Sequence, residues 1–263
     1  MLQQSERVGF FGAFEKYGFS VFESGFQRLD CHRLIILSEY FFKNLLQCKV
    51  IATYNFFYMK TIVFCDIPML NKIDSHCYAH TGNAGSNYEK DVHFAINAVL
   101  GERLKAGDEV KAVLLQTKDS EGKYLVNTQL FKDELDEINK GCGAKISYEM
   151  LCTDFEGSKE NFEKMYRAIL DFFEDDCAVY ADITYGPKPL PMVLMAAMNF
   201  AEKFFNADIK GVFYGKVNFK DGKPVNPELF DVTPLYYMSL FASSINASSS
   251  KNALSMLDAF FGK

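Results

Sequence analysis

An α/β architecture built on a mostly parallel, doubly wound sheet is what this chain of 263 residues predicts. Three observations carry that expectation. From residue 59 onward, short apolar runs and amphipathic stretches alternate four times, which implies βαβ crossovers. The apolar runs are continuous rather than alternating, as in "KTIVFCD" (60–66), the pattern of strands covered by helices on both faces. Near the end, "FKDGKPVN" (219–226) sets an Asp-Gly pair between two such runs, the signal for an antiparallel hairpin.

Taken in order, 60–66 is the first strand, and a polar, glycine-bearing loop follows it. "DVHFAINAVLGERL" (91–104) brings Val92, Ala95, Ile96, Val99 and Leu100 to one helical face. "EVKAVLLQT" (109–117) is the second strand, 117–127 a loop, and "TQLFKDELDEINKG" (128–141) a helix with Gly141 as its expected C-cap. "AKISYEMLC" (144–152) is the third strand, and a helix over 158–173 begins at Ser158, a good N-cap residue. The fourth strand (177–183) runs into a helix over 190–205, and the fifth (209–217) leads through the hairpin to "ELFDVT". "SKNALSMLDAFFG" closes the chain as a helix capped near Ser249 or Ser250. The domain plan is an N-terminal extension (1–58), an α/β domain (59–235) and a C-terminal helical tail (236–263).

Composition narrows the function classes. A formal net charge of -6 argues against duplex nucleic acid as a partner, because that needs a basic face. Cysteines 31, 48, 65, 77, 142, 152 and 177 form no CxxC pair, so reduced thiols in a cytoplasmic protein are expected, with no structural metal and no cofactor. The extension contains "LIILSEYFFKNLLQCKVIATYNFFYM", which Glu39, Lys43 and Lys49 interrupt, so no transmembrane segment is expected. It reads as a packed helical addition, as a peripheral membrane contact, or as an over-extended start upstream of the natural first strand.

In a doubly wound sheet ligands sit beyond the C-terminal strand ends, which privileges the loops at 66–90, 117–127 and 182–190. No GxGxxG, GxxxxGK[ST] or GxSxG motif occurs, so ordinary dinucleotide binding, P-loop chemistry and an α/β-hydrolase elbow are unsupported. The acidic "EDD" at 174–176 precedes a strand and reads as a solvated turn. "ADITYGPKPLP" (181–191) is different. Gly186 lets the backbone turn tightly, Pro189 and Pro191 suit the first turn of a helix, and that helix offers its N–H groups and dipole to an anion. Thr184 supplies a hydroxyl and Lys188 a mobile positive charge. On residue chemistry alone the stretch is either a conformational turn or an anion site.

The stretch "DITYGPKPLPMVLMAAMNFAEKF…IKGVFYGK" resembles the signature of the CARF family, the CRISPR-associated Rossmann-fold domains. The family hallmark is Asp-x-Thr-x-Gly-x-Arg/Lys after the fourth strand, then a helix of small and apolar residues, then a strand ending Tyr-Gly. Asp182, Thr184, Gly186, Lys188, Tyr214 and Gly215 match it. The likeness extends over roughly 59–235, through the loop tyrosines Tyr78 and Tyr88, "YEKDVHFAINAVL" and "VLLQT". Tyr185, Pro187 and Lys188 stand where relatives often have His, Phe or Arg.

The resemblance implies a Rossmann-like homodimer that binds cyclic oligoadenylate in a cleft on its two-fold axis, as a sensor or sink in type III CRISPR antiviral defence. The ligand-binding residues it implies are Asp66, Asn71, Lys72, Ser75, Thr117, Asp182, Thr184, Tyr185, Gly186, Lys188, Tyr214 and Gly215. The alternative is a metal-independent ring nuclease that linearises the messenger, with Thr184 and Lys188 as catalytic residues and His76 or His80 as acid or base. The Arg-to-His spacing of the HEPN ribonucleases is absent. The nearest pair, Arg28 and His32, is too close and lies in the extension. A further alternative is an unrelated Rossmann-like enzyme acting on a nucleotide or sugar phosphate.

Overall fold

The computed structural model describes residues 60–117, 123–153, 157–221 and 223–262, all within a unit that spans Tyr58–Lys263. The expectations for the N-terminal extension lie outside the described residues. Six strands form one sheet in the order β3-β2-β1-β4-β5-β6. They are β1 (Thr61–Asp66), β2 (Glu109–Thr117), β3 (Lys145–Thr153), β4 (Ala178–Asp182), β5 (Asp208–Lys220) and β6 (Lys223–Asp231). Every pairing is parallel except β5 with β6, so the chain is a Rossmann-like α/β protein with a terminal hairpin. The connections run outward from β1 to β2 and β3, then return to β4 and β5 on the other side. The reversal makes the gap between β1 and β4 the topological switch point.

Helices cover both faces: α1 (Ala95–Arg103), α2 (Lys123–Cys142), α3 (Lys159–Leu170), α4 (Pro189–Phe204), α5 (Thr233–Ser244) and α6 (Ser250–Phe260). Val63 and Cys65 of β1 join one apolar cluster with Val99 of α1 and Phe131 and Leu135 of α2. Ile62 and Phe64 join the other, with Met165 and Ile169 of α3 and Leu194 and Met198 of α4. Burial on both sides is why β1 reads as an unbroken apolar run. No described helix is long and apolar enough to cross a membrane.

Several local details depart from the sequence reading. Helix α2 begins at Lys123, inside the stretch expected to be loop. It ends at Cys142, so its C-terminal glycine is Gly143 (φ +77°) rather than Gly141. Asn139 holds that end by bonding both the N–H and the carbonyl of Ala144 at 2.8 Å. Ser158 caps α3 through Asn161 N–H as expected, and Ser249 caps α6 through Asn252 N–H. Thr233–Ser244 is helical and continues the domain: Thr233 Oγ1 accepts from Val212 N–H at 2.9 Å, and Tyr236 is buried against the sheet.

The connection from β1 to α1 is a strap rather than an open loop. His76 and Val92 pair across it, and Asn83 bonds both backbone groups of Asp231 on β6. A side chain at Gly82 would lie 2.0 Å from the Leu229 carbonyl. The strap thereby covers part of the β6 edge, which also carries Pro224 and Pro227, two devices that block edge-to-edge pairing.

Phe131 is fully buried and meets Phe94 edge-to-face at 5.0 Å. Phe131→Ala is expected to lower unfolding free energy by about 3–5 kcal/mol, read as a reduced denaturant midpoint at unchanged slope. A loss below about 1 kcal/mol would contradict this packing of α2 on the sheet.

Candidate functional site

At the switch point β1 ends in Asp66 and β4 in Asp182. Cys65 stands opposite Asp182 in register, so the two share a sheet face, and Asp66 points to the other one. Asp182 is the better satisfied acid. Its Oδ1 accepts from Thr184 N–H at 2.8 Å and its Oδ2 from Ile96 N–H at 3.2 Å, in the first turn of α1. The Thr184 hydroxyl also bonds this carboxylate, and Thr184 Oγ1 accepts from Gly215 N–H at 2.8 Å. One acid thus ties the end of β4 to α1, and through Thr184 to β5.

Asp66 has no such support. It is 1 % exposed, and neither carboxylate oxygen has a hydrogen-bond partner. Gly186 (φ +84°) lies over it, so close that a Cβ there would stand 2.6 Å from Asp66 Oδ2. Burial first, and then the Asp182 charge, push the Asp66 carboxyl well above its ordinary range. Burial raises Asp182 as well, but donors from Thr184 and Ile96 oppose it. Of this pair, Asp66 is therefore pushed further toward the protonated form than Asp182.

The remaining sequence-predicted residues divide. Gly215 is a packing glycine: a Cβ there would fall 2.6 Å from the Ala95 Cβ and 3.3 Å from Thr184 Oγ1. Tyr185 is half-buried, and its hydroxyl donates to the His93 carbonyl at 3.3 Å. Burial, followed by its neighbour Tyr78, raises its phenol. Lys188 is exposed and makes no ion pair among the described residues. Tyr214 lies on β5, 38 % exposed. Asn71, Lys72 and Ser75 are exposed on the β1–α1 connection, with Lys72 paired to Asp74. Thr117 pairs with Thr153 at the outer end of β2. The structure thus gathers Asp66, Asp182, Thr184, Tyr185, Gly186 and Gly215 into one constellation, and leaves Asn71, Lys72, Ser75 and Thr117 outside it.

The helix termini differ from expectation. At the N-terminus of α4, Pro189 and Pro191 have no N–H, and Leu190 N–H donates to the Pro187 carbonyl at 2.9 Å. The free N–H groups anticipated for an anion are therefore absent there, apart from that of Lys188, whose side chain is exposed. The start of α1 is occupied too. Glu134 of α2 accepts from His93 N–H at 2.7 Å and Phe94 N–H at 3.3 Å, and Asp182 takes Ile96 N–H. Two protein carboxylates thus stand where a Rossmann dinucleotide binder receives its pyrophosphate.

Sequence reasoning missed His93 and Glu134. Glu134 Oε2 lies 2.7 Å from His93 Nδ1, and Asn97 Nδ2 donates to Glu134 Oε1 at 2.8 Å. The acid is 41 positions from the histidine, a pairing with no local signature. His76 forms the bridge to Val92, its imidazole pushed down by burial, and His80 is exposed at φ +57°. No described group of His, Cys, Asp and Glu is placed to hold a metal ion.

Compared with known proteins, the chain matches no family model and no curated protein. The fold and site define a Rossmann-like α/β protein with a polar, glycine-centred turn at its switch point.

Because the folded-state value of Asp66 lies above the ordinary 3.8, its contribution to stability is complete below that pH. It is lost as pH rises through the folded value. Asp66→Asn is therefore expected to raise the melting temperature at pH 7, with the advantage shrinking toward pH 4. An advantage independent of pH would show that Asp66 does not carry the proton.

Proposed function

We propose that this chain binds a cyclic oligoadenylate second messenger at the mouth formed by the 182–188 turn, as the sensor or sink of a type III CRISPR response. The observation that carries the reading is the placement of that turn. The CARF-like residues Asp182, Thr184, Gly186 and Lys188 lie at the switch point between β1 and β4, the location where doubly wound sheets receive ligands. The exposed, unpaired Lys188 supplies the phosphate contact, and two copies across a two-fold axis present it twice to a symmetric ring. Thr184 supports binding more than cleavage, because its hydroxyl is held between Gly215 N–H and the Asp182 carboxylate.

Equilibrium binding of labelled cyclic tetra- and hexa-adenylate tests the reading, alongside mass measurement in solution. The expected result is a dimer that retains one of the two rings. Lys188→Ala should weaken retention by about tenfold to a hundredfold, the worth of one charge-assisted hydrogen bond. No retention of either ring sinks the assignment, and a strict monomer sinks the shared cleft.

A further inference from the structure

The two edges of the sheet are finished differently. Part of the β6 edge lies under the strap, and Pro224 and Pro227 interrupt it. The opposite edge, β3, carries neither device. It keeps an unbroken register with β2 along its whole length, contains no proline, and has no described strand on its other side. Hydrogen-bond directions show which of its backbone groups face outward. Lys145 N–H donates to the Asp108 carbonyl at 2.8 Å, so the odd-numbered residues of β3 address β2. The N–H and carbonyl groups of Ile146 and Tyr148 therefore point away from the sheet, with no backbone partner there among the described residues. Those of Ala144 are already taken by Asn139, which closes one end of the open ladder.

Charge decides what this edge can accept. Lys145, Ser147 and Glu149 are exposed and share one face of the strand. A lysine on an edge ordinarily discourages pairing with other strands. An antiparallel copy of β3, related by a two-fold axis at Ser147, is the exception: Lys145 of each copy then stands opposite Glu149 of the other. These are non-hydrogen-bonded pairs, in which side chains approach most closely. Lys145 also pairs with Glu109 on β2 at 3.1 Å, and its ammonium has donors enough for a second carboxylate. Ile146 and Tyr148 meet Tyr148 and Ile146 of the copy, each pair exchanging both N–H···O bonds. An axis at Glu149 or at Lys145 instead sets like charges against each other, so the charges select one register.

We infer that β3 is a docking edge for a second copy of this chain, joined antiparallel about Ser147 into one continuous sheet. The contact is separate from the cleft proposed at the 182–188 turn, because β2 and β1 stand between β3 and the switch point. Mass measurement on the full chain over a wide concentration range provides the test. Glu149→Lys and Lys145→Glu should each weaken association by about tenfold to a hundredfold, because like charges then meet on both sides of the axis. Combining the two substitutions should restore association, which damage to the fold would not permit. Ser147→Cys under mild oxidation should give a disulfide that peptide mapping places between residue 147 of one copy and residue 147 of the other, since such neighbours lie within disulfide reach. Association unchanged in Glu149→Lys, no recovery in the combined variant, or no bridge at residue 147 overturns the edge pairing and leaves the shared cleft standing. A chain that is monomeric at every concentration overturns both.

Discussion

The carboxylate of Asp182 is the joint on which this end of the molecule depends. It accepts a backbone N–H from its own turn and another from the first turn of α1, and through Thr184 it reaches the N–H of Gly215 on β5. Being fully buried, it would be costly as an unpaired charge, and these donors make it tolerable there. The same contacts fix where α1 begins, how β4 turns, and how closely β5 approaches. Gly215 follows from that closeness, because any side chain there would collide with Ala95.

Electrostatics at the two helix starts follow from this arrangement. In most doubly wound nucleotide binders the helix after β1 greets an anion, but here Glu134 and Asp182 already stand at that terminus. At α4, prolines remove two of the donors that a phosphate would use. An anion at this mouth would consequently be held by side chains more than by backbone, which makes Lys188 a larger share of any affinity than the turn's shape alone suggests. Uniform attraction of polyanions is disfavoured by the same local acidity and by the net charge of -6.

Much of the architecture was legible before the structure. Strands buried on both faces announce themselves as continuous apolar runs, and Asp-Gly marked the hairpin that Lys220 and Lys223 close. The motif Asp182-x-Thr184-x-Gly186 was placed correctly at a strand end because the alternation of elements requires a turn there. What escaped notice was determined by tertiary contact. Gly143 rather than Gly141 ends α2 because Asn139 braces that later position. Residues 123–127, expected as loop, join α2, and Asn127 there holds the carbonyls of Pro68 and Leu70. Glu134 and His93 meet only because α2 packs beside α1, and no spacing rule relates residues on different elements.

Residues of the motif therefore fall into two kinds with different tolerances. Asp182, Thr184, Gly186 and Gly215 are committed to holding the mouth in shape, through hydrogen bonds and through distances that admit no Cβ. Lys188 is exposed and makes no ion pair among the described residues. A rigid frame beneath one exposed side chain limits where that side chain can reach. Asp66 is the exception: a buried, unpartnered acid directly beneath Gly186. Burial and the Asp182 charge push its carboxyl upward, toward the neutral form that an interior without a counter-charge favours.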